Sequence, residues 1–183
     1  MDHRAPSPFE HPYDPSWAFA SRAIHGPQRY KDLPHEPTVE AIYMNSTFRF
    51  PGAAETEAWF REPKDHFVYS RYGNPTVRDF EERMAALEGG ADGVAFSSGT
   101  GAFLGALLSV AQAGQHVLLQ RYCYGGSYYL AHRLGAELGI GCTLVDPQDH
   151  QSLEAGLRPE TTALLIESPA NPMAAIVDLR AAA

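Results

Sequence analysis

Four short stretches hold residue types that can bind an anion or a flat ring. Ser97-Ser98-Gly99-Thr100-Gly101 lies between an apolar stretch and a run rich in small residues. A helix starting there would offer free backbone N–H groups and the positive end of its dipole to a phosphate, and glycine lets an anion approach the backbone. The competing reading is a plain strand-to-helix turn. The third glycine of a dinucleotide fingerprint is missing, with Leu104 in its place, and no Gly-Lys-Ser/Thr follows as in a P-loop. In Tyr69-Ser70-Arg71-Tyr72-Gly73-Asn74-Pro75-Thr76, Tyr69 and Arg71 are two apart and project to one side of an extended chain. A phenol and a guanidinium together suit a phosphate dianion, against the alternative of a solvated arginine among packing tyrosines. Tyr122-Cys123-Tyr124-Gly125-Gly126-Ser127-Tyr128 follows a strand-like run and places Tyr124 to stack on a flat cofactor, unless these are core aromatics. Glu167-Ser168-Pro169-Ala170-Asn171-Pro172 follows another such run. Asn171, between prolines, can donate a hydrogen bond where open α/β sheets bind ligands, and a proline-stiffened turn is the alternative.

These stretches need elements to position them. Val77, Phe80, Met84 and Leu87 recur at helical spacing after an N-cap at Thr76, and Gly89-Gly90 ends that helix. Val94-Ala95-Phe96 reads as a short buried strand. Residues 99–113 read as a helix closed by Gly114, residues 116–120 as a strand, and residues 127–138 as a helix with Leu130, Leu134 and Leu138 on one face. Residues 142–145 and 163–167 read as strands, with a short helix over 152–157 between them. This alternation predicts an α/β fold with a mostly parallel sheet and helices on both faces. Residues 1–65 carry nine prolines, which break regular elements, and read as an extended N-terminal arm with one short helix around 16–25. Such an arm is either disordered or packs on a neighbouring subunit. Residues 66–183 form the body. The chain stops inside what reads as the start of a helix, the pattern of a larger protein cut or divided.

Composition narrows the classes. A chain of 183 residues with 44% hydrophobic and 20% charged residues can bury one core. The net charge of −8 argues against nucleic-acid binding. No apolar run is long enough to span a bilayer, and the polar, proline-rich start is no secretory signal. Two cysteines make no disulfide framework, and the histidines form no metal pattern. A cytoplasmic protein is expected. Lys31 and Lys64 are the only lysines.

The order and spacing of the motifs resemble the Cys/Met-metabolism (trans-sulfuration) family of pyridoxal 5'-phosphate (PLP) enzymes. The motifs concerned are Phe19-Ala20-Ser21-Arg22-Ala23-Ile24-His25, the stretch from Tyr69 to Thr76, Ala86-Leu87-Glu88-Gly89-Gly90, Ser97-Ser98-Gly99, Cys123-Tyr124-Gly125-Gly126-Ser127-Tyr128 and the stretch from Glu167 to Pro172. The resemblance runs from about residue 17 to the end. It implies the first part of an aspartate-aminotransferase-like (fold type I) large domain, ending before the family's Schiff-base lysine and the aspartate that pairs with the pyridinium nitrogen.

By the same resemblance, Tyr69 and Arg71 reach a neighbouring subunit's PLP phosphate. Gly99 and Thr100 offer backbone N–H groups to the phosphate in their own subunit. Tyr124 stacks on the pyridine ring and is the candidate catalytic acid/base. Asn171 contacts the cofactor's 3′ oxygen and the substrate carboxylate, and Glu167 supports its loop. Thr100 stands where the family usually has methionine, a change a backbone contact survives. Gly126 resembles the γ-synthases, since methionine γ-lyases tend to carry cysteine there. The implied activity is γ-replacement on an activated homoserine, as in cystathionine γ-synthase, with C–S lysis of cystathionine or methionine as the alternative. The implied partners are a small amino-acid substrate and copies of the same chain in a homotetramer, a dimer of dimers. A second polypeptide supplying the missing half of a split enzyme, or a non-catalytic remnant, are the other readings. Neither lysine matches the family's position, so the isolated chain is expected to be inactive.

Overall fold

The computed structural model describes residues 14–24, 39–50, 52–61 and 66–182. The chain divides into two compact units, Met1–Ala95 and Phe96–Ala183.

The first unit is built around helix α3 (Pro75–Glu88). Its N-cap is Asn74 rather than Thr76: the Asn74 side chain accepts the Thr76 N–H, and Pro75 fills the first helical position, where no N–H is needed. Gly89 closes the helix in the left-handed conformation at φ 69°, as the Gly-Gly pair predicts. Arg78 bonds Glu82 on the same helix and Asp92 beyond it, and these carboxylates, Asp92 foremost, hold its guanidinium charged.

Among its described residues the proline-rich stretch contributes two helices, α1 (Phe19–Ile24) and α2 (Ala53–Arg61). The first falls within residues 16–25, as expected; the second was not foreseen. Helix α1 packs against α3: Arg22 donates to the Ala86 carbonyl, and Arg83 donates to the Ile24 carbonyl. Further along, the Tyr43 N–H donates to Thr76 Oγ1, and Thr47 pairs with Tyr69 in an isolated antiparallel bridge. Segments before residue 65 therefore contact the chain's own following residues.

Val94-Ala95-Phe96 forms no strand among the described residues. A strand needs a ladder partner, and here the Ala95 N–H is taken by Glu81 Oε1 at 2.8 Å.

The second unit holds a three-stranded parallel sheet in the order β2-β1-β3, from β1 (His116–Gln120), β2 (Gly141–Val145) and β3 (Thr161–Leu165). All five residues of β1 are buried, as befits the central strand of a parallel sheet. Val117 and Leu119 face one side. There they meet Leu107 and Ala111 from helix α4 (Gly99–Val110) and its end, together with Ala131 and Ile140. Leu118 faces the other side with Val145 and with Leu153 of helix α7 (His150–Gly156). Helices thus cover both faces.

The helix expected over 127–138 is broken into three continuous pieces: α5 (Gly125–Tyr128), a π-helical turn (Tyr129–Leu134) and α6 (Gly135–Glu137). The wider turn advances the helical phase. Leu130 stays buried while Leu138, expected on the same face, is 44% exposed. Helix α8 (Leu179–Ala182) follows β3 and its loop.

Candidate functional site

Each strand of the second unit runs in the same direction, so the loops after β1 and β3 leave the same sheet edge side by side. The last ladder pairs there are Gln120 with Val145 and Leu119 with Leu165. The loop after β1 carries Tyr124 and the loop after β3 carries Asn171. They are joined through Glu167, whose Oε2 accepts the Tyr124 N–H at 2.6 Å. The Tyr124 side chain is 48% exposed and its ring lies back against Gly126, where any Cβ would collide with ring atom Cε1.

Asn171 sits at the tip of a small closed loop. Ala170 pairs with Ala175 in an antiparallel bridge, the Ala174 N–H returns to the Ala170 carbonyl, and Ser168 Oγ holds the Val177 N–H. Ala174, at φ 51°, takes the left-handed conformation that lets the loop turn back. Asn171 itself is exposed.

Gly99 and Thr100 are the first two residues of α4. Ser98 caps that helix: its Oγ accepts the Gly101 N–H and its carbonyl accepts the Ala102 N–H. The Gly99 and Thr100 amides precede those bonds, so they are the orphan donors of the helix start. A Cβ placed on Gly99 would meet nothing within 4 Å, so the helix start is open on the Cβ side of Gly99. Helix α4 packs against α5, which begins directly after Tyr124.

Tyr69 and Arg71 belong to the first unit. The Arg71 guanidinium lies 4.8 Å from the Tyr69 ring centroid and 5.3 Å from that of Tyr72, so the phenol and the cation are adjacent. The turn carrying them is anchored by Asn74, which donates to the Tyr43 carbonyl and to Ser70 Oγ.

One residue at the site escaped the motif reading. Gln120, 3% exposed at the end of β1, accepts the Glu167 N–H at 3.0 Å and donates to the Tyr122 carbonyl at 2.8 Å. The signal was available: a polar side chain ending a predicted strand must find partners where the strand is buried. Behind the loop, burial and then the Glu167 charge push the Cys123 thiol up, opposed by a backbone hydrogen bond at Tyr128. Among the described residues, no cluster of three or more His, Cys, Asp or Glu could hold a metal.

The half-exposed Tyr124 and the Asn171 loop stand at the carboxyl ends of parallel strands, where open α/β sheets bind ligands. A profile for the Cys/Met metabolism PLP-dependent enzymes matches residues 20–183, and the chain belongs to that family. Over 166 residues it is 39% identical to the O-succinylhomoserine sulfhydrylase of Pseudomonas aeruginosa, covering 91% of this chain and 41% of the relative. It is 40% identical over 162 residues to the L-methionine gamma-lyase of Pseudomonas putida, covering 88% of this chain and 40% of the relative. The crystal structure of metB from Corynebacterium glutamicum superposes with a TM-score of 0.80 at 30% identity, covering 93% of this chain and 42% of that one. A putative O-acetylhomoserine (thiol)-lyase from Campylobacter jejuni, solved with a pyridoxyl-lysine phosphate, superposes with a TM-score of 0.79 at 31% identity, covering 88% of this chain and 39% of that one. The chain spans about 40% of the length of the curated relatives it matches. The fold is accordingly part of the PLP-enzyme α/β domain that the motifs implied.

Proposed function

We propose that this chain is the cofactor-cradling part of a PLP enzyme that performs γ-replacement on an activated homoserine. The observation that carries the cofactor reading is the start of α4, two orphan amides with open space at the Gly99 Cβ, on a helix that packs against the α5 start beside Tyr124. PLP, when bound, supplies an electron sink for carbanions formed on an amino-acid substrate. The Gly99 and Thr100 amides bind its phosphate. Tyr124 covers the pyridine ring and holds or moves a proton at its phenol oxygen. Asn171 donates from its amide to the 3′ oxygen and to the substrate carboxylate. Tyr69 and Arg71 bind the phosphate in a neighbouring copy, within an assembly of identical subunits.

Relatives named for O-succinylhomoserine and O-acetyl-L-homoserine sulfhydrylase activity are 39% and 38% identical to this chain, no more than a gamma-lyase at 40%, so one feature favours an activated homoserine over a thioether as substrate. Gly126 lets the Tyr124 ring lie back where a cysteine Cβ would displace it. Against this stand gamma-lyases of equal identity, which keep C–S lysis as the second reading.

Lys31 and Lys64 lie outside the described residues, and by the family resemblance neither matches the position of the Schiff-base lysine. The 183-residue chain alone therefore turns over no substrate, and a polypeptide supplying the rest of the family's sequence restores it. The test supplies O-acylhomoserine plus a thiol, or methionine, to the chain with and without a polypeptide carrying the remaining part of a relative. Replacement product from the mixture only is expected. Turnover by the chain alone, or methionine lysis as the sole activity of the mixture, overturns the reading.

A further inference from the structure

We propose that Gln120 is a positioning residue that sets the placement of Tyr124 relative to the Asn171 loop. The inference rests on the reading that those two residues serve PLP. The ladder between β1 and β3 ends at Leu119 and Leu165, just short of the two site loops. Past that point the chains separate, and three hydrogen bonds replace the ladder. The Glu167 N–H donates to Gln120 Oε1, Gln120 Nε2 donates to the Tyr122 carbonyl, and the Tyr124 N–H donates to Glu167 Oε2. The bonds close a ring: from Gln120 along the backbone to Tyr124, across to Glu167, and back.

A primary amide fits the central place in this ring. It must present an acceptor to an N–H on one side and a donor to a carbonyl on the other. The reversed amide would set donor against donor and acceptor against acceptor, so its orientation is fixed by its partners. The side chain is 3% exposed, so water does not substitute readily for either bond. Tyr124 itself is half-exposed, and α5, which follows it, shows no side-chain cap hydrogen bond at its start. The Tyr124 carbonyl accepts the Tyr128 N–H within its own helix, so the Glu167 contact is the bond that ties the Tyr124 backbone to the loop after β3, and Gln120 holds the Glu167 N–H.

Gln120→Met keeps the length and bulk and removes both hydrogen bonds. Gln120→Glu keeps the acceptor, removes the donor and sets a carboxylate against the Tyr122 carbonyl. Three readouts apply to the whole 183-residue chain: PLP affinity by equilibrium dialysis, the circular dichroism induced in bound PLP, and hydrogen exchange at the Tyr124 and Glu167 amides. With either variant, PLP affinity falls about tenfold, the scale of one lost buried hydrogen bond. The induced dichroism shrinks at saturating PLP, and both amides exchange faster while those of β1 stay protected. A purely structural role would lower the urea midpoint and leave affinity, dichroism and loop exchange unchanged in the folded protein, and that result overturns the proposal. Should Gln120→Met fail to fold, the Gln120→Glu variant and the wild-type exchange pattern decide. A wild-type Tyr124 amide exchanging at the rate of an open chain overturns the proposal outright. Absence of PLP binding by the wild-type chain sinks the underlying site reading instead.

Discussion

His116 opens the central strand and is 1% exposed, with both ring nitrogens engaged. Nδ1 lies 2.9 Å from Thr161 Oγ1 on β3, and Nε2 lies 2.9 Å from Thr143 Oγ1 on β2. Both hydroxyls also receive Arg158, through its backbone N–H at Thr161 and its guanidinium at Thr143. A neutral imidazole gives one N–H and accepts one O–H, which this arrangement satisfies. A second proton would make both nitrogens donors, and the new charge would face the Arg158 guanidinium. Burial first, and then Arg158, hold the His116 pKa below its usual value, with Glu160 pulling weakly the other way. A histidine kept neutral in the folded state contributes stability that is complete above its unfolded pKa of about 6.5 and is lost as pH falls through the folded value. One proton limits the slope to about 1.4 kcal/mol per pH unit. Replacing His116 by Leu keeps most of the volume and removes two buried hydrogen bonds, each worth about 1 kcal/mol. The expected loss at neutral pH is about 1–3 kcal/mol. Urea unfolding followed by far-UV circular dichroism, from about pH 8 to pH 5, measures both quantities. The stability gap between wild type and His116→Leu should narrow as pH falls, which isolates this residue from the other histidines. A gap that stays constant, or widens toward acid, would refute the neutral-imidazole argument.

Other outcomes follow from single contacts. Asn74→Ala removes the α3 cap and the bonds to Tyr43 and Ser70, so it should destabilise the first unit by about 2–3 kcal/mol and speed exchange at the Thr76 amide. Gly126→Cys should leave the urea midpoint nearly unchanged, because the displaced Tyr124 ring is half-exposed, yet alter the dichroism of bound PLP. Burial, and secondarily Cys123, push the Cys142 thiol up to about 11. Iodoacetamide at mildly alkaline pH should therefore label it in the folded chain far more slowly than in urea.

The parts of the fold set by local signals were legible in the sequence. Strand β1 lies where residues 116–120 read as a strand, and α3 ends where Gly89-Gly90 stops it. The misses have tertiary causes. Val94-Ala95-Phe96 has strand composition, but a strand exists only with a partner, and Glu81 claims the Ala95 amide instead. The π-helical turn after Tyr128 leaves no mark on leucine spacing, so the expected stripe of Leu130, Leu134 and Leu138 drifted off its face. Helix α2 was hidden by the prolines around it. At the site, the residue types and their order pointed to Gly99, Thr100, Tyr124 and Asn171. The tie between Tyr124 and Glu167 depends on how two loops approach across β1 and β3, which no single segment encodes.

The most direct measurement is equilibrium dialysis of the 183-residue chain against PLP, followed by borohydride treatment and peptide mapping. Saturable binding is expected, reversed by further dialysis, weakened in Gly99→Val, where a side chain enters the open space at the helix start, and in Asn171→Ala. Borohydride should leave no specific label on Lys31 or Lys64. No saturable binding by the wild-type chain, binding indifferent to both substitutions, or a stoichiometric covalent label on either lysine would contradict the account.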